Sequence, residues 1–251
     1  MHTFPLGISV SERTEELLLT YKQHGIIHIE LLIDPHSTVS WAEETVATIK
    51  ELDLSLWSIH LPFGEGWDLA ALEREYRETT IQKMKQWLEF AVEWGAKVAV
   101  VHPCLEPILS EERQQKLDNA RESLSELGKF AAEKGIKLAV ECLPRSCLGN
   151  TSEEIIYLTN TPELYVCCDA NHLFYEKPQD FIRTLGEKVI TTHMSDWDGK
   201  DERHWLPGQG INEWREICSA LNGIGYQGPF LFEVQKSAGD KLRRSWEDLW
   251  K

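Results

Sequence analysis

The chain has 251 residues, 42% hydrophobic and 27% charged, enough to bury one large core or two ordinary ones. Its formal net charge is −15, from 41 acidic and 26 basic residues, which argues against the basic footprint of a protein that grips duplex nucleic acid. No run of about 18 apolar residues is present, so no membrane-spanning helix is expected, and Met1 to Glu16 lacks the basic and apolar regions of a signal peptide.

A strand-then-helix pattern then repeats along the chain. Apolar, β-branched runs predict strands at Leu6–Val10, Ile26–Ile33, Leu54–Leu61, Lys97–His102, Lys137–Glu141, Leu164–Asp169, Val189–His193 and Pro229–Val234. Helices are predicted at Thr14–His24, Trp41–Leu52, Ala70–Trp94, Ser110–Lys134, Ser152–Thr159, Pro178–Gly186, Asn212–Leu221 and Asp240–Trp250. Gly25, Gly95, Gly135, Gly186 and Gly225 stand where helices should stop. Eight such units without a linker predict one (β/α)₈ barrel, a TIM barrel, over residues 1–251. An open doubly wound sheet is the alternative, but Val10-Ser11-Glu12-Arg13 lacks its Gly-rich first turn. The six cysteines form no C-x-x-C pair and are expected to be reduced thiols in a cytoplasmic protein.

In such a barrel the active site lies at the C-terminal ends of the strands. Here those ends carry His60, His102, Glu141, Asp169, His193 and Glu233. Strand side chains alternate, and the preceding Ile59, Val101, Val140, Cys168 and Phe232 suit the outward, helix-facing role; Thr192 suits it less well. The ionisable residues then point inward, and Glu30 falls inward by the same count. Any one of them alone reads as a satisfied core residue. Together they are costly, because a buried unpaired charge is unfavourable by on the order of several kcal/mol unless it is paired or bound to a metal. Glu141, Asp169, His193 and Glu233 supply three carboxylates and one imidazole, a hard site suited to one divalent ion such as Mn²⁺, Mg²⁺, Co²⁺ or Zn²⁺. Glu141 and Glu233 could also pass a proton to and from a substrate carbon.

The motifs E-x-x-P-R from Glu141, D-x-x-H from Asp169, H-x-x-D from His193, H-x-x-P-G-x-G from His204 and F-E-V around Glu233 follow one another in order. In that order the chain resembles the xylose isomerase-like TIM-barrel superfamily, which includes sugar isomerases and epimerases, inosose dehydratases and endonuclease IV. The resemblance implies a metal-dependent isomerase or epimerase of a small sugar or sugar phosphate, with Glu141, Asp169, His193 and Glu233 as ligands and the two glutamates as the acid/base pair. It implies contacts from His172 to substrate hydroxyls. A dehydratase of a keto-sugar, keto-inositol or dehydroshikimate would use the same site. An endonuclease IV-like nuclease would recruit His60, His102, His172 and His204 as further ligands, but Glu202 stands where such an enzyme has an aspartate, and no basic loops accompany it. A non-catalytic sugar-binding barrel has no need of paired glutamates. Epimerases of this kind usually carry an Arg soon after the strand-seven His; here the nearest is Arg203.

His60, His102, His172, Arg145, Arg203, His204, Glu30 and Trp67 are accordingly expected to line the substrate pocket, Arg145 as an anchor for phosphate or carboxylate. The glycines of Pro207-Gly208-Gln209-Gly210 read first as a tight turn and only second as a phosphate cradle. The expected partner is a small sugar, with no nucleic acid and no membrane, and the resemblance leaves a homo-oligomer open.

Overall fold

The computed structural model describes residues 4–11 and 15–251. Strands β1 (Leu6–Val10), β2 (Ile26–Leu32), β3 (Ser55–His60), β4 (Val98–Val101), β5 (Lys137–Glu141), β6 (Leu164–Asp169), β7 (Val189–His193) and β8 (Phe230–Phe232) alternate with helices. These are α1 (Glu15–Gln23), α2 (Val39–Glu51), α3 (Arg74–Trp94), α4 (Arg113–Lys134), α5 (Ser152–Leu158), α6 (Pro178–Leu185), α7 (Trp214–Gly223) and α8 (Gly239–Asp248). All strand pairs are parallel, in the order β7-β6-β5-β4-β3-β2-β1-β8. The ring closes just beyond β7, where Met194 N donates to Leu231 O at 2.8 Å and Met194 bridges Phe232 in parallel. The molecule is a single-domain (β/α)₈ barrel.

The predicted ends shift for local reasons. The chain from Ala70 to Glu73 makes a turn rather than the start of α3, and its carbonyls at Ala71 and Leu72 accept from the Arg77 guanidinium at 2.8 and 3.1 Å. β4 and β8 stop one residue short of His102 and Glu233, which therefore stand on the loops above the ring. The helix start expected at Thr14, and the Glu12-Arg13 part of the first turn, lie outside the described residues. α3 and α4 end on Gly95 and Gly135 with φ of 87° and 82°, a left-handed conformation that costs glycine nothing sterically.

Alternation sorts the core as the sequence predicts. Ile59, Val101, Val140, Cys168 and Phe232 belong to the large apolar layer between sheet and helices. Val98, Val100, Ala139 and Cys167 form a separate cluster inside the ring, closed below by Trp57, Tyr165 and Ile190. At β2 and β3 the register skips Trp57, so Ile29 pairs with Leu56 and Glu30 with Ser58. That bulge admits Trp57 to the interior beside Ser58, with its indole donating to Thr191 Oγ1 at 3.1 Å. Small and apolar residues fill the lower barrel, and the ionisable residues sit above them.

Candidate metal centre

Glu141 is the hub. Its Oε1 lies 3.1 Å from His193 Nδ1 and 3.4 Å from His172 Nδ1; its Oε2 lies 3.0 Å from His60 Nε2 and 3.2 Å from His102 Nε2. Each side chain reaches it from the C-terminal end of a different strand, which is why residues distant in sequence converge here. His193 Nδ1 also faces Asp169 Oδ2 at 3.8 Å and Glu233 Oε1 at 3.6 Å. One donor atom from each of Glu141, Asp169, His193 and Glu233 falls within 4.8 Å of the others.

Two further observations fit a cation to this set. Asp169 Oδ2 and Glu233 Oε2 are buried oxygens without hydrogen-bond partners, an unfavourable state unless something else satisfies them. On its far side, His193 Nε2 lies 2.9 Å from Glu30 Oε1, and Ser58 Oγ donates to Glu30 Oε2 at 2.7 Å. The two atoms are close without hydrogen-bond alignment; a carboxylate so placed behind an imidazole favours the proton on that side and leaves the other nitrogen for a metal.

Electrostatics show what the carboxylates require. Burial disfavours the charge on Glu141, yet His193 and His102 outweigh it and hold its pKa well below the usual carboxylate range. Burial, reinforced by Glu233 and Glu141, pushes Asp169 well above that range. Burial also opposes the charge on His193, but the surrounding anionic groups raise its pKa well above that of free imidazole. Burial drives His102 down to about 4. The cluster by itself thus balances negative charge with protons, and a divalent cation among the same donors would release them.

Above this floor opens a cavity of about 270 Å³, room for a small molecule. His60, His102, Glu141, Arg145, His172, His204 and Glu233, all named as site residues from the sequence, line this one cavity. Three predicted pocket residues do not reach it. Glu30 lies fully buried beneath His193, because its strand position is one layer lower. Trp67 packs under the Lys83 ammonium, 4.0 Å from its ring centre. The Arg203 guanidinium turns to Asp198 at 2.8 Å. Conversely, Glu106, Leu143 and Cys147 join the wall with no signal in their sequence surroundings. Glu202, weighed in the sequence only as a departure, stands 3.1 Å from His172 Nε2. Arg145 and His204, both on the wall, hold φ of 50°, a strained conformation outside glycine that is retained most often at functional sites.

The family described as Xylose isomerase-like TIM barrel matches residues 19–251. An uncharacterised protein of Methanocaldococcus jannaschii is 31% identical over 185 residues, covering 70% of this chain and 63% of that protein. Fructoselysine 3-epimerase of Escherichia coli O157:H7 is 30% identical over 114 residues, 43% of this chain and 42% of the enzyme. Inosose dehydratase of Bacillus thuringiensis is 23% identical over 231 residues, covering 78% and 75%. Thus the alignments span less than two thirds of the first two relatives. Among solved structures, a D-tagatose 3-epimerase-like protein superposes with a TM-score of 0.83 at 24% identity, covering 98% of this chain and 96% of that one. The fold, the ordered strand-end motifs and the match over residues 19–251 agree: the chain belongs to the xylose isomerase-like TIM-barrel family.

Proposed function

We propose that the protein is a metal-dependent epimerase or isomerase of a small sugar. The observation that carries the reading is the convergence of Glu141 and Glu233 on one small cavity, from strands three apart in the ring, directly over Asp169 and His193. A divalent ion held by Glu141, Asp169, His193 and Glu233 would polarise a sugar carbonyl and acidify the adjacent C–H. Glu233, its Oε2 free of hydrogen bonds, takes the proton from that carbon. Glu141, touching His60, returns a proton drawn from that imidazole. Return to the opposite face gives an epimer, and return to the neighbouring carbon an aldose–ketose isomer. Loss of a hydroxyl instead would give the dehydratase outcome. Solvent exchange tests the reading. Wild-type protein with Mn²⁺ and a panel of free and phosphorylated ketoses in D₂O should place deuterium on the carbon beside the carbonyl, followed by NMR. No incorporation across the panel, from protein shown to hold metal, would leave a binding-only barrel.

A second reading is favoured by one observation. His60, His102 and Glu141, and separately His172, Glu202 and His204, each gather three donor atoms within 4.8 Å. These sets could seat further ions, as an endonuclease IV-like hydrolase would require, with Glu202 serving where an aspartate was expected. Elemental analysis separates the two readings, at about one ion per chain for the epimerase and up to about three for the hydrolase. The −15 charge favours the first. The six described cysteines, all free and buried, suit the reducing cytoplasm.

A further inference from the structure

Arg145 and the glycine turn at Gly208, the two features the sequence offered to a phosphate, are both engaged by the chain's own carboxylates. Arg145 is the only arginine or lysine on the cavity wall among the described residues. Its Nε lies 3.2 and 3.0 Å from the two oxygens of Glu106, and its second terminal nitrogen 3.0 Å from the same carboxylate. The other terminal nitrogen lies 2.9 Å from Asp201 and 3.0 Å from Glu202. A guanidinium presents five N–H donors in a fixed fork, so these contacts leave almost none for a ligand. Three carboxylates around one cation also leave the rim negative. The carboxylates come from two loops, after β4 and β7, and Arg145 from the loop after β5, where its carbonyl is pinned by Asn150 Nδ2 at 2.7 Å, so the cage is built into the fold.

The glycine loop is closed in the same way. Asp196 is fully buried; its Oδ1 accepts from the amides of Trp197 and Asn212, each at 3.1 Å, and its Oδ2 from the Gly208 amide and the Trp214 indole, each at 2.9 Å. Within the loop, the Gly208 amide serves this internal carboxylate and the Gln209 amide the Leu206 carbonyl, which leaves little of the turn for a phosphate.

We propose that the substrate is an unphosphorylated sugar, and that Glu106 and Asp201, with Glu202, enforce this by holding Arg145 in an ion-pair cage that rejects anions. The proposal rests on the sugar reading above, but its central claim concerns charge and is measured by binding, without turnover. An anion entering the cavity would have to displace a carboxylate from Arg145 and approach the other two. A neutral polyol meets neither cost.

The test compares D-fructose, D-fructose 6-phosphate and inorganic phosphate by equilibrium titration, followed by ¹H and ³¹P NMR, on metal-loaded protein. The proteins are wild type, Glu106→Gln, Glu106→Gln/Asp201→Asn, and that double variant with Arg145→Ala. Wild type should bind the free sugar about tenfold or more tightly than its phosphate. Opening the cage should raise affinity for the phosphate ester and for inorganic phosphate by about tenfold, the scale of one charge-assisted contact, and Arg145→Ala should abolish the gain. Any phosphate held by the metal alone cancels in the comparison between variants. Near-isosteric Glu106→Gln should show a smaller gain if the double variant is unstable. Wild type binding the phosphate ester as tightly as the free sugar would overturn the proposal, and so would variants that gain no phosphate affinity. If neither sugar binds but the gain for inorganic phosphate appears, the cage stands and the sugar reading falls.

Discussion

At the scale of single residues, the chemistry turns on which nitrogen of His193 faces the carboxylates. Nε2 faces Glu30, and Nδ1 faces Glu141, Asp169 and Glu233. Glu30→Gln keeps the shape but removes the charge behind the imidazole, and should weaken metal binding by about 10- to 100-fold in a chelator competition assay. An unchanged affinity would mean that the ring is oriented by something other than Glu30. His193→Ala and Asp169→Asn should each drop the metal content well below the about one ion per chain expected of wild type. Full retention in both would remove the assignment. Parity along β2 made Glu30 legible as an inward residue. Its depth was not legible, because the layer a residue occupies depends on the stagger between strands and on the bulge at Trp57.

At the scale of elements, the segment between β7 and α7 depends on two aspartates. Asp196 satisfies three backbone amides and one indole in a buried setting. Asp196→Ala leaves those donors unpaired and should cost at least about 3 kcal/mol in urea unfolding, since each buried orphan costs about 1–3 kcal/mol. A loss below about 1 kcal/mol would show that water replaces the carboxylate there. A β-carbon at Gly210 would collide with the Trp197 carbonyl and the Asp196 carboxylate, so Gly210→Ala should disturb the same loop. Asp198 provides the pH dependence. The backbone N–H of Asp201, with Arg203, holds its pKa at about 2. That lies below the unfolded value of about 3.9, so its stabilisation is present above about pH 4 and is lost as pH falls toward about 2. The gap in denaturation midpoint between wild type and Asp198→Asn should therefore close across that window; a constant gap would show that the charge contributes nothing.

At the scale of the whole molecule, the proposed ligands come from β5, β6, β7 and the loop after β8, half of the ring. An ion bound there and not in the unfolded chain stabilises the barrel by linkage, by about 4 kcal/mol at 1,000 times its dissociation constant. Stripping with chelator should lower the thermal midpoint, and adding Mn²⁺ should restore it. A midpoint indifferent to both would show that the folded barrel binds no such ion.

The sequence by itself determined the barrel and the identity of its polar crown. Eight alternating periods fix strands and helices, and a two-residue period sorts inward from outward wherever one face must be apolar, as Ile59, Val101, Val140 and Phe232 show beside His60, His102, Glu141 and Glu233. Only the tertiary structure decided what the loops do. Glu106, Asp201 and Glu202 meet Arg145 across gaps of about 40 to 57 positions, and no period links them. Trp67 and Arg203 found nearer partners in Lys83 and Asp198 and turned from the cavity. Periodicity reports the burial of regular elements. A loop side chain's place is set by whichever charge or ring the fold brings within reach, and that information exists only once the barrel has closed.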